Sequence, residues 1–156
     1  MSEDGMIPVG SGDFPIDVPA LEESGVYTVR LMKVALSPKL DKRDLMYCAL
    51  QTEVAEGDYE GYVLMRNYLP LPIAVPESAS KAAKFQAQRI SVDFERFCQA
   101  FKIKSAMPVV KGVNDTEGKA LWHEWISQFY GNIGKVTIQN QEFQGRTRSG
   151  INDFVL

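Results

Sequence analysis

Residues 135–156 read KVTIQNQEFQGRTRSGINDFVL. The first seven alternate in the manner of a β-strand, and a polar loop carrying Phe143, Gly145, Arg146, Arg148 and Gly150 follows. Ile151 to Leu156 then turns back as a second strand. An aromatic and two arginines presented between glycines suit a clamp for a polyanion. A solvated turn has the same composition, so the choice depends on the scaffold that carries the hairpin.

Working backward from it, Leu121, Trp122, Trp125, Ile126 and Phe129 form the apolar stripe of a short helix over about 117–130, with Gly131 suited to its C-terminal cap. A longer helix spans about 81–102, where Ala83, Ala87, Ile90, Phe94, Phe97, Cys98 and Phe101 recur at three- and four-residue steps. A serine in Glu77-Ser78-Ala79-Ser80 caps it, and the proline-rich run 69–76 before it cannot continue a central strand. Three strands precede that run: Val26 to Leu36, Leu45 to Val54 and Tyr62 to Leu69, joined by polar turns. Three strands, a helix, a short extra helix and two more strands make a mainly β protein with helices. The order is that of the five-stranded OB-fold, a partly open Greek-key barrel with a helix between strands three and four. Ligands of that fold cross strands two and three and are gripped by the loops after strands one and four.

Composition narrows the chemistry. The 156 residues carry 17 basic and 20 acidic groups, but the charge is uneven. Residues 1–24 hold six acids and no Lys or Arg, and read as an acidic, partly ordered leader to an OB-fold domain over 25–156. That domain is mildly basic, and residues 81–111 are its most basic stretch. Cys48 and Cys98 fall in apolar periodic segments and read as core thiols; with a single histidine, no metal-ligand spacing arises and no cofactor is expected. No apolar run is long enough to span a membrane and no secretion signal is visible, so the expected setting is cytoplasmic.

The candidate site follows from the fold. Lys39, Lys42 and Arg43 lie in the loop after strand one; Phe143, Arg146 and Arg148 lie in the loop after strand four. Strand two alternates so that Met46, Cys48, Leu50, Thr52 and Val54 share the core face, which leaves Tyr47 and Gln51 facing outward. On strand three the same argument turns Tyr62, Arg66 and Tyr68 outward, opposite to Val63, Met65 and Leu69. Tyrosines interleaved with arginine suit a single-stranded nucleic acid, because bases stack on rings while cations neutralise phosphates without reading sequence. The competing readings are rings that cap the barrel, a Phe143 that anchors its loop, and a long helix whose basic side is only solvated. His123 has no nucleophile or metal partner, the two tryptophans suit core packing, and no phosphate-binding glycine loop or carboxylate pair occurs; no enzyme is expected.

Several segments carry a family resemblance: Gly25-Val26-Tyr27-Thr28-Val29-Arg30-Leu31, Glu53-Val54 with Glu56-Gly57-Asp58-Tyr59-Glu60-Gly61, and Gly134-Lys135-Val136-Thr137-Ile138. Gln141-Glu142-Phe143-Gln144-Gly145-Arg146-Thr147-Arg148 with Ile151-Asn152 completes them. In this order they resemble phage-encoded single-stranded-DNA-binding proteins with an OB-like fold. The resemblance implies a largely sequence-independent binder of single-stranded DNA in phage replication or recombination, in the host cytoplasm, with replication or recombination proteins as further partners. Many single-stranded-DNA-binding proteins end in an acidic tail, whereas here the acids stand at the front, where they would compete for the groove. A protein-interaction or virion-assembly module on a small β-barrel is the alternative. A homodimer through a strand edge or the Pro-rich connector is compatible with the sequence.

Overall fold

The computed structural model describes residues 21–22 and 24–156; the rest of the leader lies outside the described residues. Five strands form one antiparallel sheet: β1 Val26–Leu36, β2 Tyr47–Val54, β3 Asn67–Pro70, β4 Ile133–Phe143 and β5 Arg146–Val155. Their order is β3-β2-β1-β4-β5. The sheet curls until its two edges meet, where the Met65 N–H donates to the Ser149 carbonyl at 3.0 Å. The result is a nearly closed five-stranded barrel with two helices, the OB-like architecture expected.

Two bulges make the curl possible, and the spacing of buried residues shows where. On β1, Val29 and Leu31 are buried and so are Val34 and Leu36, a three-residue step between pairs that a regular strand does not allow. The register with β2 slips between Leu31 and Lys33, so Met32 is the extra residue. On β5, Ile151 and Phe154 are both buried, and the slip falls opposite Thr137/Ile138. Each bulge lets a bent strand keep its apolar side chains inward.

Helix α1 (Lys81–Ala100) plugs one end of the barrel. The Ser80 hydroxyl caps it by accepting the Ala83 N–H at 3.1 Å, and Phe97 and Phe101 pack against Phe154 of β5, with Phe97 and Phe154 ring centroids 5.7 Å apart. Its C-terminal end passes so close to β4 that a Cβ on Gly134 would lie 2.8 Å from the Ala100 carbonyl oxygen. Arg96 ties α1 to β5 through the Phe154 carbonyl at 2.8 Å and Asp153 at 3.3 Å. Helix α2 (Thr116–Ser127) covers the half of β1 that β4 does not reach. There the Tyr130 hydroxyl bonds the Val34 N–H and carbonyl, and His123 Nε2 accepts the Leu36 N–H at 3.1 Å. Buried backbone groups need partners, and these side chains stand in for a missing strand.

Some boundaries differ from expectation. The third strand is short: Asn67–Pro70 pairs with β2, while Val63 makes only an isolated bridge to Glu53. Between them the chain leaves β2 to meet β5, which no local periodicity records. Its facing changes too: Leu64 and Leu69 are buried, Tyr62 packs against the core and Val63 is exposed, so Tyr62 is not an outward ring. Leu121, assigned to the apolar stripe of α2, is exposed. The core also begins earlier than Gly25, since Leu21 is fully buried.

Candidate nucleic-acid interface

The floor is the outer face of β2 and β3. Cys48, Leu50, Thr52 and Val54 are buried, so alternation turns Tyr47, Ala49, Gln51 and Glu53 outward. Antiparallel pairing sets Tyr47 opposite Pro70 and Ala49 opposite Tyr68. Beside so small a neighbour as Ala49, the Tyr68 ring stays 60% exposed. The two tyrosine rings meet edge-to-face with centroids 5.8 Å apart, which leaves ring surface free for a third flat group. With Asp41, Arg43 and Pro70 they line a shallow cleft of about 260 Å³.

Asp41 builds the wall at that end. Its Oδ1 accepts the Arg43 N–H at 2.7 Å and the Leu45 N–H at 3.0 Å, and its Oδ2 holds the Arg43 guanidinium at 3.1 Å. Desolvation pushes the carboxyl up, but the Leu45 and Arg43 N–H bonds and the guanidinium outweigh it and hold Asp41 below the usual carboxylate value. The loop is therefore folded around an ionised aspartate. Lys39 and Lys42 are exposed on the same loop.

At the opposite end stands the hairpin. Its expected polar loop is instead strand nearly to the tip: Phe143 pairs with Arg146, and only Gln144 and Gly145 turn. Both turn residues have positive φ, 51° and 77°, the mark of a tight two-residue hairpin turn. The Phe143 side chain lies outside the described ones. Arg146 and Arg148 share one side of β5 by strand alternation, and both are exposed. Gly150 continues that side, and a Cβ there would meet the Met65 Cβ at 3.5 Å. The arginine side of the arm is thus the side over which Met65 and exposed Arg66 pass on their way into β3.

The other side of the arm holds a buried polar clamp. The Ser149 hydroxyl accepts the Leu21 N–H at 2.9 Å and donates to Asn140 Oδ1 at 2.6 Å, while Asn140 Nδ2 donates to the Leu21 carbonyl at 2.9 Å. The sequence offered no signal for these three as a unit, because they are joined only by the fold. Ser149 also gives its carbonyl to Met65, so one residue fixes the arm both to the segment before β1 and to the approach to β3.

The structure gathers Arg43, Tyr47 and Tyr68 into one cleft. It sets Arg146 and Arg148 beside the Met65–Arg66 end of the floor and leaves Lys39 and Lys42 exposed at the other. Among the described residues, Lys39, Lys42, Arg66, Arg146 and Arg148 have no ion-pair partner; Arg43 has Asp41.

The remaining candidates are structural. His123 Nδ1 lies 2.9 Å from the Lys119 carbonyl while Nε2 accepts from Leu36, so both nitrogens are engaged. Trp122 and Trp125 are buried. The free thiols of Cys48 and Cys98 are each pushed up to about 12, chiefly by burial, which favours the protonated thiol at neutral pH. Among the described residues no group of His, Cys, Asp or Glu is arranged to hold a metal ion, and no helix is long and apolar enough to cross a membrane. Comparison of the chain with protein-family models and with curated proteins returns no match.

Proposed function

We propose that this barrel is a non-enzymatic, largely sequence-independent binder of single-stranded DNA, of the phage replication or recombination type that its segments resemble. The observation that carries the reading is the Tyr47–Tyr68 pair on the outer β2–β3 face, Tyr68 exposed and Tyr47 half-buried, between cationic walls at both ends. A duplex buries its base faces in its own stack, whereas a single strand offers them, and each stacked base contributes about 1–3 kcal/mol. Arg43, Lys39 and Lys42 at one end and Arg66, Arg146 and Arg148 at the other meet the phosphates on either side of the stacked bases. Stacking and phosphate neutralisation carry no sequence information, so discrimination is between strand states.

The test is fluorescence anisotropy with labelled oligo(dT) and with a labelled duplex of equal length. The proposal expects tight, salt-sensitive binding to oligo(dT) and at least tenfold weaker binding to the duplex. Equal affinity for both overturns the stacking argument. Binding to neither returns the barrel to the alternative of a protein-interaction module.

A further inference from the structure

Phe85 lies on the solvent side of α1, 62% exposed, away from the buried stripe of Ala87, Ile90 and Phe94. Lys81 and Arg89 stand one turn before and after it, at the i−4 and i+4 positions that share a helix face. With Arg43, Pro70 and Asp93 these three line a depression of about 760 Å³. Arg43 and Pro70 line the tyrosine cleft as well, so the two surfaces are continuous across those residues. The basic side of α1, which sequence reasoning treats as merely solvated, therefore begins where the floor ends.

We infer that a single strand leaving the floor past Tyr47 and Arg43 continues over α1, with a base on the Phe85 ring and phosphates at Lys81 and Arg89. The inference rests on the function proposed above and enlarges its footprint. Charge selects this occupant over a protein partner. Lys81 and Arg89 flank a single exposed ring, with Arg43 at its edge and Asp93 the one carboxylate in the lining, a surface complementary to a polyanion that also offers bases to stack. The spacing suits a chain as well: the eight helical steps from Lys81 to Arg89 advance about 12 Å, room for roughly two further nucleotides. A ring flanked by cations repeats the chemistry of the floor.

The test uses the full chain and two labelled oligo(dT) probes, one of about 6 nucleotides that spans the floor and one of about 12 that reaches the helix, lengths within the range of OB-fold sites. Phe85→Ala combined with Arg89→Ala is expected to weaken the longer probe about tenfold and leave the shorter unchanged, and Phe85→Trp to keep full affinity for the longer. Wild-type affinity of the double variant for the longer probe refutes the inference while leaving the proposed function intact. So does an equal loss on both lengths, or a change in oligomeric state by light scattering without loss of binding, which assigns the face to a second copy of the chain. If the wild-type chain binds neither probe, the proposed function falls first and this inference with it.

Discussion

Replacing Arg146 and Arg148 together by alanine isolates the cationic contribution of the arm. Both side chains are exposed and, among the described residues, carry no ion pair, so their loss should change folding stability by no more than about 0.5 kcal/mol. Binding is another matter. The arm is hydrogen-bonded up to the Phe143–Arg146 pair, so the two arginines project from one side at a fixed strand spacing of about 7 Å rather than from a loose loop. Each phosphate neutralised on a single strand contributes about 0.7 to the slope of log affinity against log salt, so the double variant should lose about 1.4. Between about 50 and 200 mM salt, wild-type affinity should then fall roughly sevenfold further than that of the variant. Anisotropy titrations with oligo(dT) at four salt concentrations give both slopes, and denaturant melts of both proteins supply the folding control. Arg146→Lys with Arg148→Lys should keep the wild-type slope, since phosphates respond to charge before geometry. Parallel salt plots for wild type and the alanine variant would refute the reasoning, because they would place the arm off the path of the strand.

Other substitutions probe separate parts of the site. Tyr68→Ala should weaken oligo(dT) binding by about 1–3 kcal/mol with no change in salt slope, while Tyr68→Phe keeps most of the affinity, because the ring stacks and the hydroxyl does not. Ser149→Ala removes the acceptor of the buried Leu21 N–H. That orphaned donor costs about 1–3 kcal/mol, so the melting temperature should drop by roughly 3–10 °C; a drop under about 2 °C would mean that the clamp is not needed. The folded-state value of Asp41 is depressed, so its stabilisation of the loop is present above the ordinary carboxylate value and fades as pH falls through the lowered one. Denaturant midpoints of wild type and Asp41→Asn should therefore differ at pH 7 and converge as the solution is acidified below about pH 4; a constant difference would assign the effect to shape rather than charge.

The first two strands and both helices were legible because their stabilising contacts are periodic in the chain. Alternation assigned every residue of β2 to its correct face, and a three-and-four stripe found the aromatic side of α1. What escaped was whatever depends on barrel closure. Tyr62 and Val63 reverse the expected facing because the chain between Leu64 and Asn67 changes partners from β2 to β5. The hairpin looked like a loop because its residues are polar on both sides, yet the arm is held by strand pairing that polar side chains do not announce. Phe85 was passed over for the opposite reason. A stripe argument sorts residues by where they hide, and this ring does not hide.

The balance of charge sets how the site should respond to salt. The loop after β1 carries Lys39, Lys42 and Arg43, but Asp41 already occupies the Arg43 guanidinium, and Asp44 is exposed beside it. Glu142 is exposed on the arm that carries Arg146 and Arg148. Only Lys39, Lys42, Arg66, Arg146 and Arg148 are left to displace counterions along the floor and its walls. Five such contacts bound the slope at about −3.5, and the nearby acids pull it lower still. If the strand also crosses α1, Lys81 and Arg89 raise the bound to about −4.9. A shallow slope with firm affinity at high salt would mean that the tyrosine pair supplies much of the binding, as expected of a site with two adjoining rings and few unpaired cations. A slope steeper than about −5 would exceed every cation without an ion-pair partner along the path, and would show that the strand runs over a different face of the barrel.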